Sequence, residues 1–253
     1  MEKRALFALT LVLSQIFFFF LITTRPSSLS QVNNCIDIAQ APKTDNTHGT
    51  RKPRFPQTLH FLWPNRAWLY GKEDPDGIAQ RKTQQVVQRI TTNNPAWKVK
   101  IWTDEDCDDL METHFPEVYL KWTNLTPRLK MWDAVRPAIL YVHGGIYLDH
   151  DIECDDGVDF LNWIAPPTQL LLREPTQDNM KLGNHFMGSC PRHAFWLLYM
   201  KNIFNDIPKN YSVGRHTGPR QLYPTFQEHV SSMKEDERHT IRLLGKHELD
   251  MKG

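Results

Sequence analysis

The run Leu140-Tyr141-Val142-His143-Gly144-Gly145-Ile146-Tyr147-Leu148-Asp149-His150-Asp151 constrains the fold more than any other stretch of the chain. It reads as a helix end, a double-glycine reversal, a short buried strand and two carboxylates one residue apart. Gly144 and Gly145 can take the positive φ that stops a helix and turns the chain, and Ile146-Tyr147-Leu148 has the β-branched and aromatic make-up of a strand. Such a strand delivers Asp149 and Asp151 at its carboxyl end. In an open α/β sheet that is the edge along which ligand crevices form.

Two aspartates at i and i+2, on a chain turning out of a strand, can converge on one hard cation and leave most of its coordination sphere open. Oxygen-only ligands select Mn²⁺ or Mg²⁺ over zinc, and a cation held by one or two carboxylates fills its other positions with substrate phosphates and water. The implied ligand is a diphosphate. An Asp-x-Asp alone is weak evidence, because acidic turns are common and mostly just solvated; the flanking pattern carries the argument further.

That pattern alternates strands and helices. Thr58 to Trp63 is an apolar run ended by Pro64, a first strand, and Gly71 to Gly77 is a loop. Ile78 to Asn93 sets Ile78, Val86, Val87 and Ile90 on a polar background and predicts an amphipathic surface helix. Trp97 to Trp102 alternates with period two, a second strand, and Asp104, Glu105 and Asp106 suit the first turn of the helix after it. Pro127 to His143 repeats Leu129, Trp132, Val135, Ile139 and Val142 as a core-facing stripe, with Asp133 and Arg136 three apart on another face. Pro137 lacks the amide hydrogen for the carbonyl of Asp133, so a kink or restart is expected there. Later, Gln169 to Arg173 reads as a strand, Phe195 to Ile207 as a helix and Ile241 to Leu244 as a last strand.

Pro127 to Cys154, read with Leu59-His60-Phe61-Leu62-Trp63 and Trp97 to Asp104, resembles the glycosyltransferases with a DXD sugar-binding region. That group contains yeast Golgi initiating mannosyltransferases and inositol-phosphoceramide mannosyltransferases. Its members share an Ile-His-x-x-Trp first strand, a Trp-Thr-Asp strand end, an Ala-Asp-x-x-Arg helix and Gly-Gly-x-Tyr-x-Asp-x-Asp. The resemblance covers roughly residues 56 to 220, and it implies a GT-A-type, Rossmann-like α/β domain over 56–253. It further implies a Mn²⁺ (or Mg²⁺) ion on Asp149 and Asp151, with Asp149 also on the sugar or ribose. Asp133, Arg136 and Asn184, the last in the Gly183 to Gly188 segment, would contact the donor sugar, and His60 and Trp63 the nucleotide. Thr217-Gly218-Pro219 resembles a later turn of the family. The implied donor is GDP-mannose or a UDP-sugar, and the implied acceptor a glycan or glycolipid, with retention at the anomeric carbon and no side-chain nucleophile.

Two departures stand out. Pro137 replaces the aromatic that usually follows the arginine, and no histidine-containing segment ending near Ser-Trp follows the last strand before Gly253. Either the chain is short or cut off there, or another residue, of which His247 and Asp250 are available, takes the histidine's place. An alternative reading is therefore a non-catalytic lumenal relative that binds glycans or a partner. A soluble hydrolase fits less well, because its two carboxylates should flank the sugar rather than share one cation.

Ahead of the domain, residues 1–4 include Lys3 and Arg4, and Ala5 to Thr23 is a run of nineteen uncharged residues. This length meets the lower limit for a bilayer span, and the flanking positive charge sets the amino terminus in the cytoplasm. A cleaved signal peptide is the competing reading, but no small-x-small site follows. Residues 24–55, rich in Pro, Ser, Thr, Asn and Gln, read as a stem. The expectation is a single-pass type II protein of the Golgi or ER membrane with its domain in the lumen. The sequons Asn124-Leu125-Thr126 and Asn210-Tyr211-Ser212 fit that topology. Cys35, Cys107, Cys154 and Cys190 form no C-x-x-C pair, which argues against structural zinc and leaves disulfides open. A formal net charge of +1 gives no electrostatic reason to bind nucleic acid.

Overall fold

The computed structural model describes residues 55–63, 78–152, 158–174, 182–205 and 211–245 of the 253-residue chain. The expected anchor, the stem up to Arg54, the 71–77 loop, Cys35, Cys154, Asn210, His247 and Asp250 lie outside these residues. Among the described residues no helix is long and apolar enough to cross a membrane.

Six strands form one sheet: β1 (Thr58–Leu62), β2 (Lys98–Trp102), β3 (Gly145–Leu148), β4 (Leu170–Arg173), β5 (Gly183–Ser189) and β6 (Ile241–Leu244), in the order β2-β1-β3-β5-β4-β6. β1 is parallel to both β2 and β3, β4 is parallel to β6, and β5 runs antiparallel between β3 and β4. Five strands therefore point one way, and their carboxyl ends share one edge with Asp149. The expected βαβ alternation holds through β3; β5 makes the sheet mixed rather than purely parallel.

The sheet separates two apolar clusters. On one side α1 (Ile78–Asn93) contributes Val86 and Ile90 against Leu59, Phe61 and Ile146. On the other pack α2 (Asp104–His114), α3 (Pro116–Thr123), α4 (Leu129–His143), α5 (Ala194–Phe204) and α7 (Pro219–Ser232), with the short α6 (Val213–His216) between the last two. Each fully buried large side chain there, such as Trp196, Phe195 or Ile139, contributes about 1.5–3 kcal/mol by leaving water. Cys107 and Cys190 are both buried, in different clusters, and are not bonded to each other.

α2 begins as its sequence demands. Thr103 is the N-cap in a reciprocal capping box with Asp106, so the acidic first turn also satisfies amides left open at the helix start. α4 runs through Pro137 as one helix rather than restarting there. Its burial departs from expectation: every residue from Lys130 to Leu140 is buried, so its apolar surface is a sheath rather than a stripe. Leu129, placed in the stripe by spacing, is instead 40% exposed.

At the end of α4, Gly144 and Gly145 have φ of 62° and 85°. A Cβ on Gly145 would collide with the carbonyl oxygen of Thr58, and one on Gly144 would lie 2.6 Å from the Pro191 nitrogen. The double glycine is thus fixed both by backbone conformation and by close approach of neighbouring chain. It lets a helix descending one face turn directly into β3, which carries the chain back to the Asp149 edge.

Candidate active site

At that edge, side chains from α4, β3 and β5 meet in one polar network. Arg136 occupies its centre, only 7% exposed. Its Nη2 lies 2.9 Å from Asp149 Oδ1, and its Nη1 lies 3.2 Å from Asp133 Oδ1 and donates to the Asn184 carbonyl at 3.0 Å. Asn184 Nδ2 donates to Asp133 Oδ1 at 3.1 Å, and Thr217 Oγ1 donates to Asp133 Oδ2 at 3.3 Å. The Tyr147 hydroxyl donates to Asp149 Oδ1 at 2.5 Å, and its ring lies under the Arg136 guanidinium, 4.9 Å from the centroid.

The Asp133–Arg136 pair is therefore an interior ion pair that ties three elements together, not a solvated i,i+3 pair on a helix surface. Burial pushes the Asp133 carboxyl up, against the pull of Arg136 and the donors Thr217 and Asn184. Burial also works against the charge on Arg136, but Asp149, Tyr147 and Asp133 together hold it well above its ordinary range, so the guanidinium is a fixed cation. Burial raises the Tyr147 phenol far above its usual value, which keeps its proton in place as a donor.

Asp149 has one oxygen committed and one open. Oδ1 takes both Tyr147 and Arg136, while its backbone amide donates to the His185 carbonyl at 2.9 Å and fixes the turn. Asp151, two residues on, is exposed. Together Asp149 and Asp151 could offer two carboxylates without nitrogen or sulfur, a donor set that suits a hard divalent cation completing its shell with phosphate oxygens and water. Among the described residues no group of three His, Cys, Asp or Glu side chains gathers into a complete metal site.

Trp63 is brought to the same edge, its ring 6.3 Å from that of His150 between the two aspartates. His60 is not: its Nε2 donates to the Gly144 carbonyl at 2.8 Å and its Nδ1 accepts from Trp102 Nε1 at 3.0 Å. Both ring nitrogens are thus engaged below the site, in support of the glycine turn. Burial, partly offset by the Gly144 bond, lowers its pKa to about 4 and keeps it neutral in that role.

Sequence reasoning passed over Tyr147 and His185 as members of the site. Tyr147 was legible only as a strand residue, although its position two before Asp149 puts both side chains on one face of β3. His185 Nε2 accepts from Arg173 Nη1 at 3.0 Å, and its ring covers Gly183, where no side chain would fit. A separate cavity of about 730 Å³, lined by Phe55, Gln57, Ile164, Pro167 and Thr240 among others, opens at the amino ends of the strands. It is remote from the carboxylates and adds nothing to their chemistry.

The fold and site define a mixed α/β domain of GT-A-like kind, with a DXD turn at the carboxyl edge of its sheet. The family described as glycosyltransferase sugar-binding region containing DXD motif matches residues 80–168, and the chain carries a DXD-motif glycosyltransferase domain related to the mannosyl-phosphorylinositol-ceramide mannosyltransferases of yeast and fission yeast. Mannosyl phosphorylinositol ceramide synthase CSH1 of Saccharomyces cerevisiae is 27% identical over 162 residues, 62% of this chain and 41% of that protein. Inositol phosphoceramide mannosyltransferase 1 of Schizosaccharomyces pombe is 25% identical over 197 residues, 76% of this chain and 57% of that protein. The chain thus spans about half the length of these relatives. Among solved structures, PaToxG Glycosyltransferase superposes with a TM-score of 0.53 at 11% identity over 73% of each chain, a likeness of fold.

Proposed function

We propose that this protein is a metal-dependent glycosyltransferase that moves a hexose, most simply mannose, from a nucleoside-diphosphate sugar to a glycan or glycolipid acceptor with retention. The observation that carries the reading is the division of labour at Asp149: Oδ1 is fixed by Arg136 and Tyr147 while Oδ2 and the Asp151 carboxylate remain open at the sheet edge. Membership in a DXD group and the mannosyltransferase names of the relatives support the choice of reaction.

Asp149 and Asp151 would hold Mn²⁺ or Mg²⁺, which when bound supplies Lewis-acid neutralisation of the leaving diphosphate. The chain's own residues orient the donor. Asp133 and Arg136, locked to each other and to Asn184, offer a rigid polar wall to sugar hydroxyls, and rigidity of this kind lowers the entropy to be lost on reaching the transition state. Trp63, half-buried beside His150, offers a flat face to a nucleobase or sugar. His60 acts at one remove by holding the Gly144 carbonyl. Anchored by residues 5–23 and carried on the 24–55 stem, the domain would work on the lumenal side of the Golgi or ER membrane.

The test is Mn²⁺-dependent hydrolysis of GDP-mannose and UDP-sugars by the full chain. Turnover of one donor that disappears with chelator is expected; neither turnover nor binding of any donor in the presence of metal rejects the reading.

A further inference from the structure

Four charged side chains are buried among the described residues: Lys130, Asp133, Arg136 and Arg173. Three are engaged, Asp133 and Arg136 with each other and Arg173 with His185. Lys130 is 2% exposed, and no hydrogen bond or ion pair reaches its Nζ. A lysine stem packed this closely fixes where its ammonium can reach. The Nζ is also absent from the unpartnered side-chain atoms sealed from solvent, so its tip opens outward although its stem is packed.

Its position gives the direction. Lys130 is the second residue of α4, which starts without a side-chain cap and without an acidic residue in its first turn. Side chains of a helix lean toward its amino end, so the ammonium reaches past the start of α4, where the helix dipole is positive. Arg128, 3.8 Å from Asp104 at the carboxyl end of β2, ties this helix start to the same sheet edge as the DXD turn. Lys130, Asp133 and Arg136 follow at three-residue intervals, so the lysine continues the charged row of the site by one turn. The amides of Lys130 and Met131 bond the Pro127 and Arg128 carbonyls at 2.9 Å, which leaves the ammonium as the main donor. On α6 the Lys130 charge acts on His216, whose Nε2 donates to the Ile203 carbonyl at 3.0 Å and whose Nδ1 has no partner.

We propose that Lys130, at the positive end of α4, is a substrate-binding residue that contacts a phosphate oxygen, in a subsite one helical turn above the Asp133–Arg136 pair. The phosphoryl group comes either from the donor's diphosphate or from a phosphodiester on the acceptor. This inference rests on the transferase reading for its location in a substrate cleft, but its direct test needs no metal.

Saturation binding of inorganic phosphate to the full chain without metal, read by calorimetry, is compared for wild type, Lys130→Met and Lys130→Arg. Wild type should bind saturably, Lys130→Met about tenfold or more weaker, the loss of one charge-assisted hydrogen bond, and Lys130→Arg close to wild type. Two arms separate the sources: GDP and UDP with Mn²⁺, and phosphatidylcholine vesicles with and without phosphatidylinositol. Weakening confined to the nucleotides assigns the site to the donor, and weakening confined to the phosphatidylinositol vesicles assigns it to the acceptor. Phosphate binding unchanged in Lys130→Met, as expected if the lysine only serves His216, overturns the proposal, as does a wild type that binds no phosphate. Should Lys130→Met fail to fold, reductive methylation of wild-type Lys130 decides: protection by phosphate supports the site, and equal labelling overturns it. A wild type that binds phosphate through Lys130 yet binds and turns over no donor with Mn²⁺ would lose the transferase reading and keep this site, so the two failures are distinguishable.

Discussion

Arg136 Nη2 and Asp149 Oδ1 lie 2.9 Å apart, and this contact joins the buried middle of α4 to the turn that follows β3. It places a permanent cation between two carboxylates, because Asp133 contacts the same guanidinium at 3.2 Å. Neither acid would sit comfortably here without it.

Arg136→Met therefore leaves Asp133 buried with no counter-charge. Loss of about 3–5 kcal/mol in denaturant unfolding is expected, together with loss of donor turnover. Arg136→Lys should recover little, since one ammonium cannot reach Asp133, Asp149 and the Asn184 carbonyl at once. Urea titration of the three proteins, paired with donor hydrolysis, is the check.

Tyr147→Phe removes a single hydroxyl and keeps the ring under Arg136. A hydrogen bond to a charged acceptor contributes about 1.5–3 kcal/mol, so Mn²⁺-linked nucleotide affinity should fall by about tenfold while the fold persists. Calorimetry beside circular dichroism separates these effects; an unchanged affinity would mean that Asp149 needs no such restraint.

Gly145→Ala should be among the most damaging single changes outside the site. Its φ of 85° strains any L residue, and the added methyl meets the Thr58 carbonyl oxygen in the neighbouring strand. Loss of soluble, cooperatively melting protein is expected on expression. His60→Phe, which removes only the bond to the Gly144 carbonyl and the acceptor for Trp102, should lower stability more mildly and leave the fold assembled.

Stability should fall in acid through buried histidines. Burial holds His60 and His229 at about 4 and His193 at about 3, while the unfolded chain protonates them near the ordinary value of about 6.5. Between those limits the unfolded state binds more protons, so each such histidine removes up to about 1.4 kcal/mol per pH unit as pH drops below about 6.5. The effect is absent above that pH and levels off below about 3. Urea midpoints measured from pH 8 to pH 4 should show the decline, and His193→Phe, at the packed ring pair with His229, should flatten part of it.

Much of the architecture was legible because patterns and punctuation agree. Ile78–Asn93 and Ile241–Leu244 have the expected bounds, and β1, β2, β4 and α5 end within a few residues of expectation. β5 was not read as a strand: Gly183-Asn184-His185-Phe186-Met187-Gly188-Ser189 is buried on both faces, so no alternation marks it, and its glycines and asparagine suggest a loop. α7 escaped because Pro224 interrupts its sequence, although Pro219 suits its first turn. At the site, spacing placed Asp133 beside Arg136 but could not give their depth. The unbroken apolar surroundings of Met131, Trp132, Ala134, Val135 and Ala138 were the available signal that the whole helix is interior.

The central claim is that Asp149 and Asp151 present a divalent cation to a nucleoside diphosphate. Titration calorimetry of the full chain with GDP or UDP, with and without Mn²⁺, tests it directly when repeated on Asp151→Ala. Nucleotide binding that requires Mn²⁺ in the wild type and vanishes in the variant is the expected result; binding indifferent to the metal, or equal in the two proteins, would contradict it.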